Sequence, residues 1–451
     1  MRRVPLLLYV ATLVGCGFHP TGLAAEDGGS TDGQTVDATD PGDGRDSPDA
    51  GELDAPELDA PELDAPAIDA TAIDAQPIDA IAIDAPPIDA PPPVGVVVHV
   101  PDDQEAIGTG DMTISATLTI NTSGTPSANM ALPPGVTLSV IAQDGGGSDL
   151  AVLRARALTI SAGVVVRATG SRPLVILAET VTIAGWLEVS ASGSTPGPGA
   201  FTDGVGVGTL GGHVSTFSDG GGGGGSFGSI GGAGGDAPCN SGCMSVQIAQ
   251  GGDPGAVYGA AALTRLEGGS PGGRSYFPPP PTTTCTAGNP GAGGGALQIY
   301  ARTSITIAGG GIAAGGGGGS GGFKCEAPYN WLAGHGGGSG GAIYLQSPSV
   351  QNTGTLVANG GGGGGGAGQN GNGANGGNAN RGTGTGGNGN GNYAADGGDG
   401  ASQGTAPQNG FDGPDQGNGG GGGGGLGRIH VRSVAASVLG NTSPTATTST
   451  Y

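Results

Sequence analysis

Residues 158–170 read Leu-Thr-Ile-Ser-Ala-Gly-Val-Val-Val-Arg-Ala-Thr-Gly, residues 181–193 read Val-Thr-Ile-Ala-Gly-Trp-Leu-Glu-Val-Ser-Ala-Ser-Gly, and residues 305–315 read Ile-Thr-Ile-Ala-Gly-Gly-Gly-Ile-Ala-Ala-Gly. In each, a short run of alternating aliphatic and polar residues meets a small-residue bend and then a second alternating run. Period two sends every second side chain to one face of a strand, and small residues permit the corner between strands. Leu118-Thr-Ile120 and Val136-Thr-Leu138 repeat the opening piece, and the first four copies start 18, 22 and 23 residues apart. A recurring unit of that size is one coil of a stacked array, with backbone hydrogen bonds between coils and like residues in internal ladders. The expected fold is all-β, a parallel β-solenoid over 94–440, opening at Val94–Val100 and followed by a polar tail, 441–451. A β-sandwich also fits short, evenly spaced strands, but the near-constant period and the repeated motif favour the solenoid.

Composition limits what such a fold can use. Gly supplies 104 of 451 residues, against a usual share of about 7%. Glycine loses much entropy on ordering and buries little, so stability must come from a regular backbone lattice with narrow aliphatic stacks. The glycines concentrate at 220–225, 315–319, 360–366 and 419–425, and Val181 lies 124 residues before Ile305. Long insertions therefore interrupt the coils. Two readings stand open for them: surface excursions without order, or polyproline-II-type glycine strands in tight contact. The Asn- and Gly-rich stretch 368–392 suits either.

The net charge of −23 sits mostly in one place. Nineteen acidic residues and one basic residue, Arg45, fall between Glu26 and Asp89, which leaves the rest of the chain only mildly acidic. Aspartates recur every five residues from Asp54 to Asp89, each after Leu or Ile and before Ala, often with Pro next. Period five matches neither a helix nor a strand face, Pro favours extended structure, and like charges stretch the chain. Residues 16–93 thus read as an unfolded acidic tether, on the order of 240 Å if fully extended as polyproline II. Carboxylates spaced this way lack the clustered ligands of a calcium site. No basic footprint for nucleic acid exists.

Upstream, Met1-Arg2-Arg3 and the apolar run Leu6–Val14 have signal-peptide anatomy, too short to span a bilayer as a helix. Leu13-Val14-Gly15-Cys16 resembles the bacterial lipobox. The resemblance implies removal of residues 1–15, a diacylglycerol on the Cys16 thiol and acylation of the new amino group. Membrane lipid is then the first partner, since several acyl chains anchor stably where one does not. Gly17 lacks the acidic residue of a common inner-membrane retention signal, so the expected location is the cell envelope, at the outer membrane.

The coil pattern, together with Gly295-Ala-Leu-Gln-Ile299, Gly341-Ala-Ile-Tyr-Leu345 and Gly427-Arg-Ile-His-Val431 after glycine runs, resembles right-handed parallel β-helices of the pectin-lyase-like and filamentous-haemagglutinin-like kind. It is most similar to glycine-rich surface lipoproteins of Gram-negative soil bacteria. That resemblance implies a fold and a location, with extracellular polysaccharide or cell-surface components as partners.

Chemistry is sparse. Cys239, Cys243, Cys285 and Cys325 make an even set in an exported chain, which reads as two disulfides of open pairing; a four-thiolate zinc site is the alternative, but only Cys239 and Cys243 are closely spaced. Gly206–Gly211 and Gly371–Gly376 match a dinucleotide-loop spacing by chance and precede no helix. Lys324 follows Phe323, so no phosphate-binding Gly-Lys loop exists. Gly231–Asp236 is a lone partial calcium nonapeptide. His19, His99, His213, His335 and His430 show no ligand spacing and read as surface or strand-end residues. The pairs Asp102/Asp103, Asp396/Asp399 and Asp412/Asp415 fall in expected loops. Arg154, Arg156, Arg167 and Arg172, near Glu179 and Glu188, suit either a polysaccharide-binding face or solvent-side salt bridges. No catalytic set, metal site or cofactor is expected. The expected function is a non-catalytic envelope protein for contact, adhesion or shielding; a tethered polysaccharide-binding or polysaccharide-degrading protein is the alternative.

Overall fold

The computed structural model describes residues 96–451, apart from 216–217, 242, 244, 277–287, 326–330 and 435–437. The signal segment, the tether and Cys16 lie outside the described residues, as do His19 and Cys285. Among the described residues there is no α-helix, only a 3₁₀ turn at Asp102–Gln104. A large, strongly curled, mostly parallel sheet dominates.

Its strands fall into three parallel ladders. In the first, Leu153, Ile176, Ile299, Leu345 and Val431 stand in register. In the second, Met112, Leu158, Val181, Ile305 and Val350 do so. In the third, Leu118, Val166, Leu187, Ile312 and Leu356 do so. All fifteen residues are buried in one aliphatic core. The copies starting at 158, 181 and 305 therefore occupy one ladder, and the 124 residues from Val181 to Ile305 separate adjacent rungs. The other two copies lie elsewhere: Leu118 opens the third ladder, and Thr137–Ile141 pairs antiparallel with Leu150–Arg154. The first ladder is covered on both sides. Val152, Val175, Leu177, Tyr300 and Tyr344 form a second cluster with Phe227, Leu263 and Leu266, which is why Leu174–Ile183 opens on an unbroken apolar run.

Every long insertion leaves after the third ladder and returns at the first. In the earliest pass 122–149 make that connection, with two short strands, and in the next only four residues, 170–173, do so; in later passes 189–295, 314–341 and 358–427 make it. These insertions contain very little β-strand, yet their glycine runs are buried and ordered. Consecutive amides of 220–226 donate in rotation to three neighbours: Gly220 and Gly223 to Gly212 and Thr209, Gly221 and Gly224 to Gly235 and Gly232, Gly222 and Gly225 to Gly334 and Gly337. The same segment accepts from Gly252 and Gly255, from Gly273, and from Gly422 and Gly425. Three residues per turn is the polyproline-II repeat, so donors and acceptors point alternately toward six neighbours. Segments 332–341, 358–368 and 418–427 are surrounded in the same way.

The result is a hexagonally packed bundle of glycine strands. It resolves the open reading of the runs in favour of ordered polyproline-II contact. At the most crowded positions only glycine fits: a Cβ on Gly222, Gly337, Gly363 or Gly421 would fall on a neighbouring carbonyl oxygen, closer than the 3.0 Å that real Cβ atoms keep.

Outer strands have amides pointing away from the bundle, and Asn or Asp side chains of the adjacent strand cover many of them. Asn372, Asn375 and Asn378 accept from the amides of Lys324, Gly321 and Gly318. Asp396 and Asp399 accept from Gly389 and Gly386. Asn409, Asp412 and Asp415 accept from Ala233, Asp236 and Asn240. Spacing of three matches the helix repeat, so one face of the outer strand carries all the acceptors.

Candidate functional site

Glycine strands turn at one of two ends. The sheet-side turns carry Phe227, Tyr258, Leu263 and Leu266 onto the outer face of the first ladder. The opposite end gathers 213–215, 236–241, 247–250, 323–325, 331–332, 369–372, 391–394 and 413–417, and the chemically distinctive side chains concentrate there. His213–Ser215 and Ser218–Asp219 form one hairpin, and Ala237–Cys239 with Gln247–Ala249 forms another beside it. Cys239 and Cys243 are joined, closing the tip of the second hairpin. Cys325 is also in a disulfide, whose other half lies outside the described residues.

His213 Nδ1 and Asp219 Oδ1 are 2.5 Å apart. Asp219 begins an inner glycine strand, so the residue is only 2% exposed. Burial pushes its pKa up to about 6, partly offset by the hydrogen bond and charge of His213. Tyr276 stacks on the imidazole at 4.0 Å, while Asn418 Oδ1 accepts from the Asp219 amide. Nearby, Trp331 stacks on Tyr393 at 5.3 Å, and Lys324 Nζ donates to the Gln369 carbonyl. Such an end can hold a proton between imidazole and carboxylate and can offer aromatic and amide contacts. Among the described residues no group of three or more His, Cys, Asp or Glu is placed to hold a metal ion, and no helix is long and apolar enough to cross a membrane.

His213 begins a strand, in keeping with the surface or strand-end positions expected of the histidines, whereas His99, His335 and His430 are buried. His99 is buried between Gln298 Oε1 and the Leu263 carbonyl, and desolvation lowers its pKa. His335 replaces a glycine inside the bundle. Its Nδ1 accepts from the Ser275 amide, and burial lowers its pKa to about 4. His430 is buried against Thr447 and Ser449. Strand periodicity could not reveal this, because each imidazole fills a gap left by distant segments.

The arginines and glutamates form ion pairs and backbone contacts. Arg156 pairs with Asp111, and Arg302 with Glu179. Arg154 donates to the Ala106 and Gln104 carbonyls, and Arg172 to those of Thr122 and Gly124. Glu188, 3% exposed, joins Arg167 of the third ladder to Arg381 of the glycine bundle, and Arg381 lies over the Trp186 ring. Arg381 was not among the candidate residues, since nothing in its Asn-Arg-Gly context marks a partner 193 residues away. Asp102 and Asp103 sit exposed in the 3₁₀ turn, whereas the other two acidic pairs are the amide acceptors described above. At the sheet-side end, a cavity of about 550 Å³ opens among Phe201, Tyr258, Leu263, Arg265 and Glu267.

Comparison with protein-family models, with characterised proteins and with solved structures finds no match to this chain.

Proposed function

We propose that this chain is a cell-envelope lipoprotein, held to membrane lipid through acylated Cys16 and spaced from it by the acidic tether, whose folded part serves contact, adhesion or shielding without catalysis. The observation that carries this reading is the glycine bundle. Its strands are hydrogen-bonded in several directions at once, which makes a stiff support, and it gathers irregular loops at one end. Loops on a rigid scaffold are the usual place for binding, and these carry aromatic, amide and disulfide groups. The three parallel ladders support reading the sheet as a β-solenoid of the right-handed kind that the sequence resembles. Outer-membrane location remains part of the proposal, resting on Gly17.

Polysaccharide binding is the second reading, favoured by the Trp331–Tyr393 stack among Asn and Gln side chains, since flat rings take up the apolar faces of sugars. Two experiments separate the outcomes. Metabolic labelling with palmitate, fractionation and protease treatment of intact cells should show a labelled, membrane-bound, surface-cleaved chain, with label and membrane binding lost in Cys16→Ser. A Cys16→Ser chain that stayed labelled and membrane-bound would end the lipoprotein reading. Incubation with a polysaccharide panel should give no new reducing ends; sustained release would replace the non-catalytic reading with a degradative one.

A further inference from the structure

The cavity of about 550 Å³ at the sheet-side end is built by 143–149, 170–173, 199–205 and 258–267. These segments are tied together. The Phe201 amide donates to the Gly269 carbonyl, and Gln143, with its amide turned to satisfy both neighbours, donates to the Ser148 carbonyl and accepts from the Leu266 amide. Leu263 is buried with φ +49°, in the left-handed region that a bulky side chain rarely occupies. Its carbonyl meets His99 Nε2 at 2.5 Å, and His99 is left-handed as well, at φ +72°. Strained backbone of this kind persists only where its surroundings over-determine it, and it gathers at ligand clamps. Inside, the Phe201 and Tyr258 rings stand near perpendicular, with centroids 5.5 Å apart. Phe227 packs on Tyr258 at 4.7 Å, and the Tyr258 hydroxyl is engaged by the Gly268 carbonyl and the Ser270 hydroxyl, so the rings offer apolar surface. At the rim Arg265 and Glu267 lie 3.7 Å apart, with side chains 57% and 19% exposed. That separation is too long for a hydrogen bond, and neither side chain makes one with another group among the described residues. The hydroxyls of Ser148, Ser171 and Thr264 line the same cavity and also make none among the described residues. A largely buried carboxylate without a hydrogen-bond donor calls for one.

We infer that this cavity binds a free α-amino acid with a large apolar side chain, its carboxylate on Arg265 and its ammonium on Glu267. The spacing of the charges selects the ligand. An α-amino acid holds its nitrogen and carboxyl carbon about 2.5 Å apart across one Cα, which suits two protein charges 3.7 Å apart and lets the four charges alternate. A dipeptide inserts a further Cα–Cα step of about 3.8 Å, so its two ends do not meet both partners at once. The Arg265–Glu267 pair on its own contributes little at such exposure, whereas ligand charges held against both groups gain charge-assisted hydrogen bonds. A lone amine or a lone carboxylate meets one attracting and one repelling charge. A neutral sugar leaves both protein charges without counter-charges. The ligand's apolar side chain lies against Phe201, Tyr258 and Leu263, and the volume is that of an ordinary small-molecule site. This inference goes beyond the envelope reading and rests neither on it nor on the Trp331–Tyr393 stack.

The test is calorimetric titration of the full chain, in detergent, with L-phenylalanine, phenethylamine, phenylacetate, phenylalanyl-glycine and methyl α-glucoside. Phenylalanine should saturate one site per chain, and each of the other probes should bind at least tenfold more weakly. Arg265→Gln and Glu267→Gln should each weaken phenylalanine at least tenfold while leaving the thermal transition unchanged, since neither side chain holds the fold through a hydrogen bond. Trp331→Ala should leave phenylalanine binding as it is. Absence of saturable phenylalanine binding, binding of phenethylamine or phenylacetate as tight as that of phenylalanine, or affinity indifferent to both rim substitutions would overturn the proposal. So would glucoside binding that the rim substitutions abolish, since the cavity would then serve carbohydrate. A failure here leaves the lipid anchor and surface exposure standing, because those are read by labelling and protease treatment.

Discussion

Replacing Gly363 with alanine should destabilise the protein by about 3 kcal/mol. Gly363 lies in an inner strand, where its amide donates to the Gly398 carbonyl at 2.8 Å and its carbonyl accepts from Gly387. An added Cβ would meet the Gly421 carbonyl and the Gly422 oxygen, all backbone, inside the 3.0 Å limit. No flexible side chain is available to yield, so the strand 418–427 must move away. That shift strains the bonds from Gly421 to Gly364 and from Gly424 to Gly361, both 2.8 Å. Overpacking costs about 1–3 kcal/mol, and each weakened hydrogen bond adds about 1 kcal/mol. Reduced freedom of the unfolded chain offsets about 0.4–1 kcal/mol. Gly382→Ala is the matched control: nothing lies within 4 Å of its Cβ and its backbone is not left-handed, so only the unfolded-state term operates and stability should rise slightly. Urea unfolding of the full chain reads both, and the Gly363→Ala midpoint should fall by about 1 M for a slope near 3 kcal/mol/M. If Gly363→Ala unfolded within about 0.5 kcal/mol of the parent, the close-packed bundle would be refuted.

Three more expectations concern ions and edges. Glu188→Gln leaves Arg167 and Arg381 without their shared carboxylate and should cost about 2 kcal/mol, below the usual penalty for breaking a buried pair because both guanidiniums are partly exposed; Arg381→Ala should loosen the 380–384 turn to protease while sparing the ladders. Acid response should have two opposed parts. The His335 pKa is lowered to about 4 from the usual 6.5, so the unfolded chain binds more protons and stability is lost as pH falls through that window. The Asp219 pKa is raised to about 6 from 3.8, so the folded chain binds more protons and stability is gained as pH falls from about 6 to about 4. Urea midpoints from pH 7 to 4 should therefore fall less in His335→Gln than in the parent, and more in Asp219→Asn; the opposite order would refute both assignments. Asn375→Ala removes the acceptor of the Gly321 amide and should speed hydrogen exchange at Gly321 at least tenfold with under 1 kcal/mol of global loss.

Strand alternation and the small-residue bends at 158–170, 181–193 and 305–315 made an all-β chain with in-register aliphatic ladders legible, because inward positions of a narrow core admit little but Val, Ile and Leu. Glycine frequency likewise required a backbone lattice, since a residue without a side chain stabilises only through close backbone contact. Tertiary structure decided the rest. Which repeats share a ladder depended on where 189–295 re-enters, and a 124-residue gap conceals adjacency. Whether glycine runs order depended on six neighbours drawn from distant segments, whose hydrogen bonds no local window contains. Asn372, Asn375 and Asn378 lie in a stretch that suited either disorder or tight glycine strands until the strand they cover was in place. His213 with Asp219, and Glu188 with Arg381, became pairs only through burial that the fold imposes, because a desolvated charge selects its partner by position in space and not by spacing along the chain.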